Sequence, residues 1–153
     1  MKTDLTKRKI GKIKLNGSVD ITDPGYSKTS GFRMDKVGVK PGEYECCVWI
    51  GKTKEDGERV GIIGIYLDGA IPAQTSMKEI GSISVDAGLA GFFYDKPDYN
   101  DEEWGKFCRQ THRGLAWINK DGFFSSSGYG DGFYHVYAKR NQGRKITALE
   151  IRF

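Results

Sequence analysis

This chain is poor in the residues that most catalytic and metal chemistry uses. It has two histidines and three cysteines among 153 residues. The cysteines are Cys46, Cys47 and Cys108. An odd count with two adjacent is a poor disulfide framework. No Cys-x-x-Cys pair occurs, so no zinc site and no metal cofactor are expected. Reduced thiols fit a cytoplasmic location. No apolar run approaches the ~20 residues that a membrane span needs. The first residues lack the apolar core of a secretion signal, and no membrane partner is expected. A serine nucleophile has no Gly-x-Ser-x-Gly elbow to sit on. Long helical patterns are also scarce.

Glycine and aromatic residues are what the chain has in quantity. It holds 21 glycines, and 12% of its residues are aromatic. That balance, with short alternating runs, favours β structure. Its length suits one domain with one core. Charge is uneven along the chain. Residues 1–14 carry six basic side chains against Asp4 alone, while the whole chain is +4, so the remainder is near −1. We read residues 1–14 as a basic, partly loose segment and 15–153 as a single β-rich domain. A basic start can serve as a phosphate-binding arm, but a solvated terminus is the commoner case. Nucleic acid is not an expected partner.

Alternation places the strands. Residues 10–15 and 17–22 form weak ones, closed by Asp23-Pro24-Gly25-Tyr26, which has the composition of a type II turn. In 43–50, Tyr44, Cys46, Val48 and Ile50 share one face. Cys46 is then a core residue, and Cys47 on the other face should be more exposed. Residues 60–67 are apolar on both faces, as in a central strand covered on both sides. Gly61 and Gly64 within it suggest a bulge or close packing. Ser76, with Glu79 three residues later, has capping spacing for one helical turn. Residues 80–86 and 90–94 read as strands. The one convincing helix is 101–110, capped by Asn100 with Glu103 in capping-box spacing and with Trp104, Phe107 and Cys108 as its buried stripe. Four further strands fall at 115–118, 123–126, 133–138 and 145–153. The expected fold is mostly β: an antiparallel sandwich or partly closed barrel of about eight to ten strands with one short helix.

The stretch most suggestive of a site is 125–134, Ser-Ser-Ser-Gly-Tyr-Gly-Asp-Gly-Phe-Tyr. Glycine at alternate positions marks backbone that needs positive φ or passes close to a neighbour. This loop is not a P-loop, because it lacks the Gly-Lys-Ser/Thr ending. Its successive N–H groups suit an anion, and Tyr129, Phe133 and Tyr134 suit stacking. Candidate ligand contacts are Ser127, Tyr129, Asp131, Tyr134, Asp86 and Arg113. Asp86, Asp95 and Asp131 would serve a metal-dependent hydrolase if they converged. Asp beside Gly is, however, ordinary turn chemistry. His135 reads as a satisfied strand residue.

Taken together, Ile21-Thr22-Asp23-Pro24, Gly42-Glu43-Tyr44, Val85-Asp86-Ala87-Gly88 with Asp95, Gly128-Tyr129-Gly130-Asp131-Gly132-x-Tyr134 and a final strand ending at Phe153 show an order and spacing that resembles domain-of-unknown-function family 4241 of bacteria and phages. The resemblance covers roughly residues 15–153. It implies a shared β-rich fold and brings no assigned activity. The expected role is a non-enzymatic domain that binds a small polar ligand such as a nucleotide-like anion; in a phage it would sequester a host signalling nucleotide. A protein-interaction or homo-oligomerisation module is the alternative.

Overall fold

The computed structural model describes residues 4–55, 57–112 and 114–153. These form eleven strands and one α-helix. A six-stranded antiparallel sheet has the order β1 (Thr6–Leu15), β4 (Gly42–Thr53), β5 (Gly57–Leu67), β11 (Ile146–Arg152), β10 (Gly132–Arg140) and β6 (Lys78–Val85). A five-stranded sheet has the order β3 (Met34–Gly38), β2 (Ser18–Thr22), β7 (Leu89–Phe93), β9 (Gly122–Ser126) and β8 (Ala116–Asn119). The two sheets stay separate, so the fold is a β-sandwich and not a barrel. One backbone bond joins them at a corner, where the Ser84 N–H donates to the Phe32 carbonyl at 3.0 Å. Among the described residues, no helix is long and apolar enough to cross a membrane.

Alternation produces three apolar layers. Tyr44, Cys46, Val48 and Ile50 of β4 face Val19, Ile21, Phe92 and Phe123 of the other sheet across the main core. Behind the five-stranded sheet, Phe93 and Phe124 pack under Phe107, Trp104 and Tyr99. The helix α1 (Asp101–Arg109) covers this face, and its capping box is formed as the Asn100 and Glu103 spacing predicts. Behind the six-stranded sheet, Cys47, Tyr66 and Ala148 lie under Met77 and Ile71. Cys47 is therefore fully buried, contrary to the alternation-based expectation: the segment 68–77 folds back over it.

Strand β5 is central and covered on both faces, as its sequence predicts. Gly61 sits where the β4–β5 register shifts between Trp49 and Ile50. Four further local expectations change. Strand β1 starts at Thr6, so residues 6–9 of the basic segment belong to the sheet. Its lysines Lys7, Lys9, Lys12 and Lys14 pair with Trp49, Cys47, Glu45 and Glu43 and form one row on an unpaired edge. Strand β3 was not expected; its exposed Asp35 and Lys36 hide its pairing with β2. The turn at Asp23 closes through the Tyr26 N–H to the Asp23 carbonyl, but Gly25 has no positive φ, so it is not type II. Ser76 ends a 3-10 turn, Gln74–Ser76, instead of starting a helical one.

Two glycines of the β7 region separate close packing from backbone conformation. A Cβ on Gly91 would overlap the Phe123 carbonyl and lie 2.6 Å from Phe124 Cβ, whereas Gly88 has open space but φ +68°. Gly91→Ala should cost about 3 kcal/mol or more, because a neighbouring strand must move. Gly88→Ala should cost about 1 kcal/mol, for its left-handed backbone alone. Urea denaturation midpoints of the two variants check that order.

Candidate functional site

The glycine loop has the backbone its sequence demands. Gly128, Gly130 and Gly132 have φ of +72°, +80° and +158°. A Cβ on Gly128 would collide with the Val60 carbonyl, and the Arg59 guanidinium donates to the Gly128 carbonyl. Ser127 is buried, and its hydroxyl donates to the Gly130 carbonyl at 2.6 Å. Tyr134 donates to the same carbonyl at 2.9 Å. Burial pushes the Tyr134 hydroxyl pKa up, the Ser127 bond opposes this, and the nearby Asp131 charge adds to it. Ser127, Asp131 and Tyr134 are thus brought together, with the first and last acting as braces.

The tip of the loop lies elsewhere. Tyr129 is 66% exposed, with the Arg59 guanidinium 5.8 Å from its ring centre. Asp131 is exposed and makes no hydrogen bond among the described residues. Neither residue lines the concavities described below. Asp86 is exposed in the β6–β7 turn and lines a shallow recess with Asp23, Tyr26 and Trp104. Arg113 lies outside the described residues. Asp95 is exposed, and no group of three histidine, cysteine or carboxylate side chains able to hold a metal occurs among the described residues. The convergence of Asp86, Asp95 and Asp131 that a metal-dependent hydrolase would need is therefore not present.

Asp23, at the first position of its turn, is a buried anchor. Its Oδ1 accepts the Gly25 N–H, and its Oδ2 accepts the Asp86 and Ala87 N–H groups, each at 2.7 Å. Asp20 does similar work: its Oδ1 accepts the Lys36 N–H at 2.9 Å and its Oδ2 the Lys96 N–H at 2.8 Å. Beside them Lys96 is fully buried. Its ammonium donates to the Tyr26 and Pro97 carbonyls at 2.8 and 2.7 Å and lies 4.6 Å from the Tyr99 ring centre. These groups stitch the loops at one end of the sandwich. Every ammonium bond goes to backbone, which is a structural arrangement.

The best-formed site is on the outer face of the six-stranded sheet. A cavity of about 340 Å³ is lined by Phe133, Tyr134, His135, Tyr137, Arg152 and Phe153, with Gln74 at its rim. Strand alternation puts Phe133, His135 and Tyr137 of β10 on this face beside Arg152 of β11. Beneath Arg152, Glu150 is fully buried. Tyr66 donates to Glu150 Oε2 at 2.6 Å, and Trp49 donates to the Tyr66 hydroxyl at 2.9 Å. Arg152 Nε donates to Glu150 Oε1 at 3.1 Å. Its Nη2 lies 3.1 Å from that oxygen as an ion pair, but the atom has no hydrogen-bond partner. The guanidinium carbon sits 3.8 Å from the Tyr137 ring centre. Of the six candidate ligand contacts this cavity includes only Tyr134; Phe133, expected to stack, lines it as well. Arg152 was missed, although Glu150 and Arg152 share a face with Ala148 on a strand beside doubly covered β5, a signal that their charges meet under cover.

A crevice of about 380 Å³ runs between α1 and the β8–β9 turn. Its polar groups bond one another, Tyr99 to Asp121 and Asn119 to Gln110. It is a packing seam.

Burial, and then the Arg33 charge, lower the Lys96 pKa from 10.5 to about 8. Between those values the unfolded chain holds the proton more tightly than the folded one. The stability from this group is therefore complete above the unfolded pKa and is lost as pH falls through about 8. Relative to Lys96→Met, the wild-type chain should gain on the order of 2–3 kcal/mol as pH rises through that window. Denaturation of both proteins at several pH values measures it. In comparisons with protein-family models, curated proteins and solved structures, none matches this chain, so its family is not fixed by likeness.

Proposed function

We propose that this chain is a non-enzymatic binding domain for a small organic anion, held in the cavity over Arg152. One observation carries the reading: a largely covered guanidinium, fixed by Glu150 and Tyr137, lines a cavity walled by aromatic rings. Sites for small molecules are concave and mostly apolar, with a few placed polar groups. An arginine offers two parallel donors to a carboxylate or phosphate. The glycine loop supports this cavity from behind, since Tyr134 is braced by Gly130 and its ring meets Phe153 edge-on at 5.0 Å. A nucleotide-like anion belongs to this ligand class, and its capture would be sequestration, the role expected in a phage or bacterial cell. The reading places the protein in the cytoplasm, where the free thiols of Cys46, Cys47 and Cys108 stay reduced.

A second reading, an interaction or homo-oligomerisation module, is favoured by Phe32 and Phe133. These side chains are 67% and 66% exposed and touch each other with centroids 5.7 Å apart. Sedimentation over a wide concentration range distinguishes the two readings, because self-association raises the mass and Phe133→Ser abolishes the rise.

Amide and aromatic NMR shifts, followed during titration with a panel of small organic anions, test the first reading. Shifts should cluster at Tyr137, Arg152 and Phe153, persist in Tyr129→Ala and vanish in Arg152→Lys, which lacks the planar fork. Shifts confined to Tyr129 and Asp131 would overturn it.

A further inference from the structure

We infer that the ligand of the Arg152 cavity is a singly charged acid with an aromatic body, an aromatic carboxylate and not a polyphosphate. This inference rests on the binding-domain reading above and narrows it. Three observations converge on the class. The first is charge. Arg152 is already in an ion pair with Glu150, and His135, which also lines the cavity, faces Glu79 at 3.3 Å. No lysine lines the cavity. Arg152 is the one lining residue with a fixed positive charge, and Glu150 offsets part of it, so a ligand bearing two or three charges meets no matching set of cations. A phosphate chain would bring uncompensated charge into a partly covered site.

The second observation is donor geometry. Arg152 spends Nε on Glu150, which turns one edge of the guanidinium toward the sheet. The Tyr137 ring covers a guanidinium face at 3.8 Å. With Nη2 also buried against Glu150, Nη1 is left to face the cavity and suits a single acid group. No residue of the 128–132 glycine loop lines the cavity, and the Tyr129 N–H of that loop is spent on the Ser127 carbonyl.

The third is apolar surface. Phe133 lines the cavity and continues outward into Phe32, two large side chains left in solvent. Their rings, tilted 53° to each other, give an apolar rim on which an aromatic ring loses water while its acid group reaches Arg152. The ligand is therefore amphipathic along one line: carboxylate inward at Arg152, ring outward over Phe133 and Phe32.

Isothermal titration with three probes tests this: indole-3-acetate, acetate and adenosine monophosphate. Indole-3-acetate should bind saturably below about 1 mM, with acetate and the nucleotide much weaker. Arg152→Gln should weaken it by roughly tenfold or more, as expected for loss of a charge-assisted pair. Should that variant fail to fold, because Glu150 is left without its cation, Phe133→Ser on the exposed rim should still fold and bind several-fold more weakly. Tighter binding of the nucleotide, lost in Arg152→Gln, would overturn the ligand class and leave the binding-domain reading intact. Binding of none of the three would overturn both. Indole-3-acetate binding unchanged in both variants would also refute the placement, as would self-association through Phe133 that excludes the probe.

Discussion

A carboxylate with no exposed surface sits in the middle of a sheet, and the outer face is built around that fact. An isolated buried charge costs several kcal/mol, so Glu150 must be compensated where it stands. Tyr66 supplies a short donor, Trp49 orients Tyr66, and Arg152 supplies the opposite charge. On the same face the segment 68–77 folds over Cys47, with Ile71 and Met77 packed against it. Arg152 and Tyr66 therefore serve one purpose, compensation of Glu150. In the proposed binding role, that guanidinium is a preorganised donor.

The opposite solution operates at the loop end. There Asp20 and Asp23 accept backbone N–H groups from segments distant in sequence, and Lys96 donates to backbone carbonyls. Loops leaving a sheet lose their ladder partners, and buried N–H and C=O groups must find others. Here charged side chains fill that role. The result is a set of ionised groups that resembles a site in composition and is a scaffold in geometry. Asp23 shows the distinction: both oxygens are spent on three amides, leaving it little to offer a substrate.

Much of the fold was legible in the sequence, because alternation reports which face is buried. The helix with its capping box, doubly covered β5 and the glycine-loop conformations could all be read from spacing. Strand β3 could not, since Lys36 adopts φ +50° and polar side chains mask an edge pairing fixed by the Asp20 carboxylate. Cys47 was misread because alternation gives direction and says nothing about what returns to cover that face. The site was harder. The glycine loop drew attention through its unusual composition, yet its first glycine, Gly128, serves the close approach of the Val60 carbonyl. Arg152 carries only the faint signal of sharing a strand face with Glu150 and Ala148. Its meaning comes from Tyr66, Glu150 and Tyr137, which only the β5–β11–β10 pairing brings together.

The lysine row on β1 bears on how copies of this chain coexist. A ten-residue strand with a free outer edge offers a ready template for another strand. Two such edges meeting antiparallel would set cation against cation along their length, while among the described residues Lys12 pairs with Glu43 at 3.3 Å. Repulsion is cheap to maintain here, since these side chains already stand in water. The rim of the molecule most prone to fibrous growth therefore protects itself, and chemistry that neutralises those amines, such as acetylation, would expose the hazard.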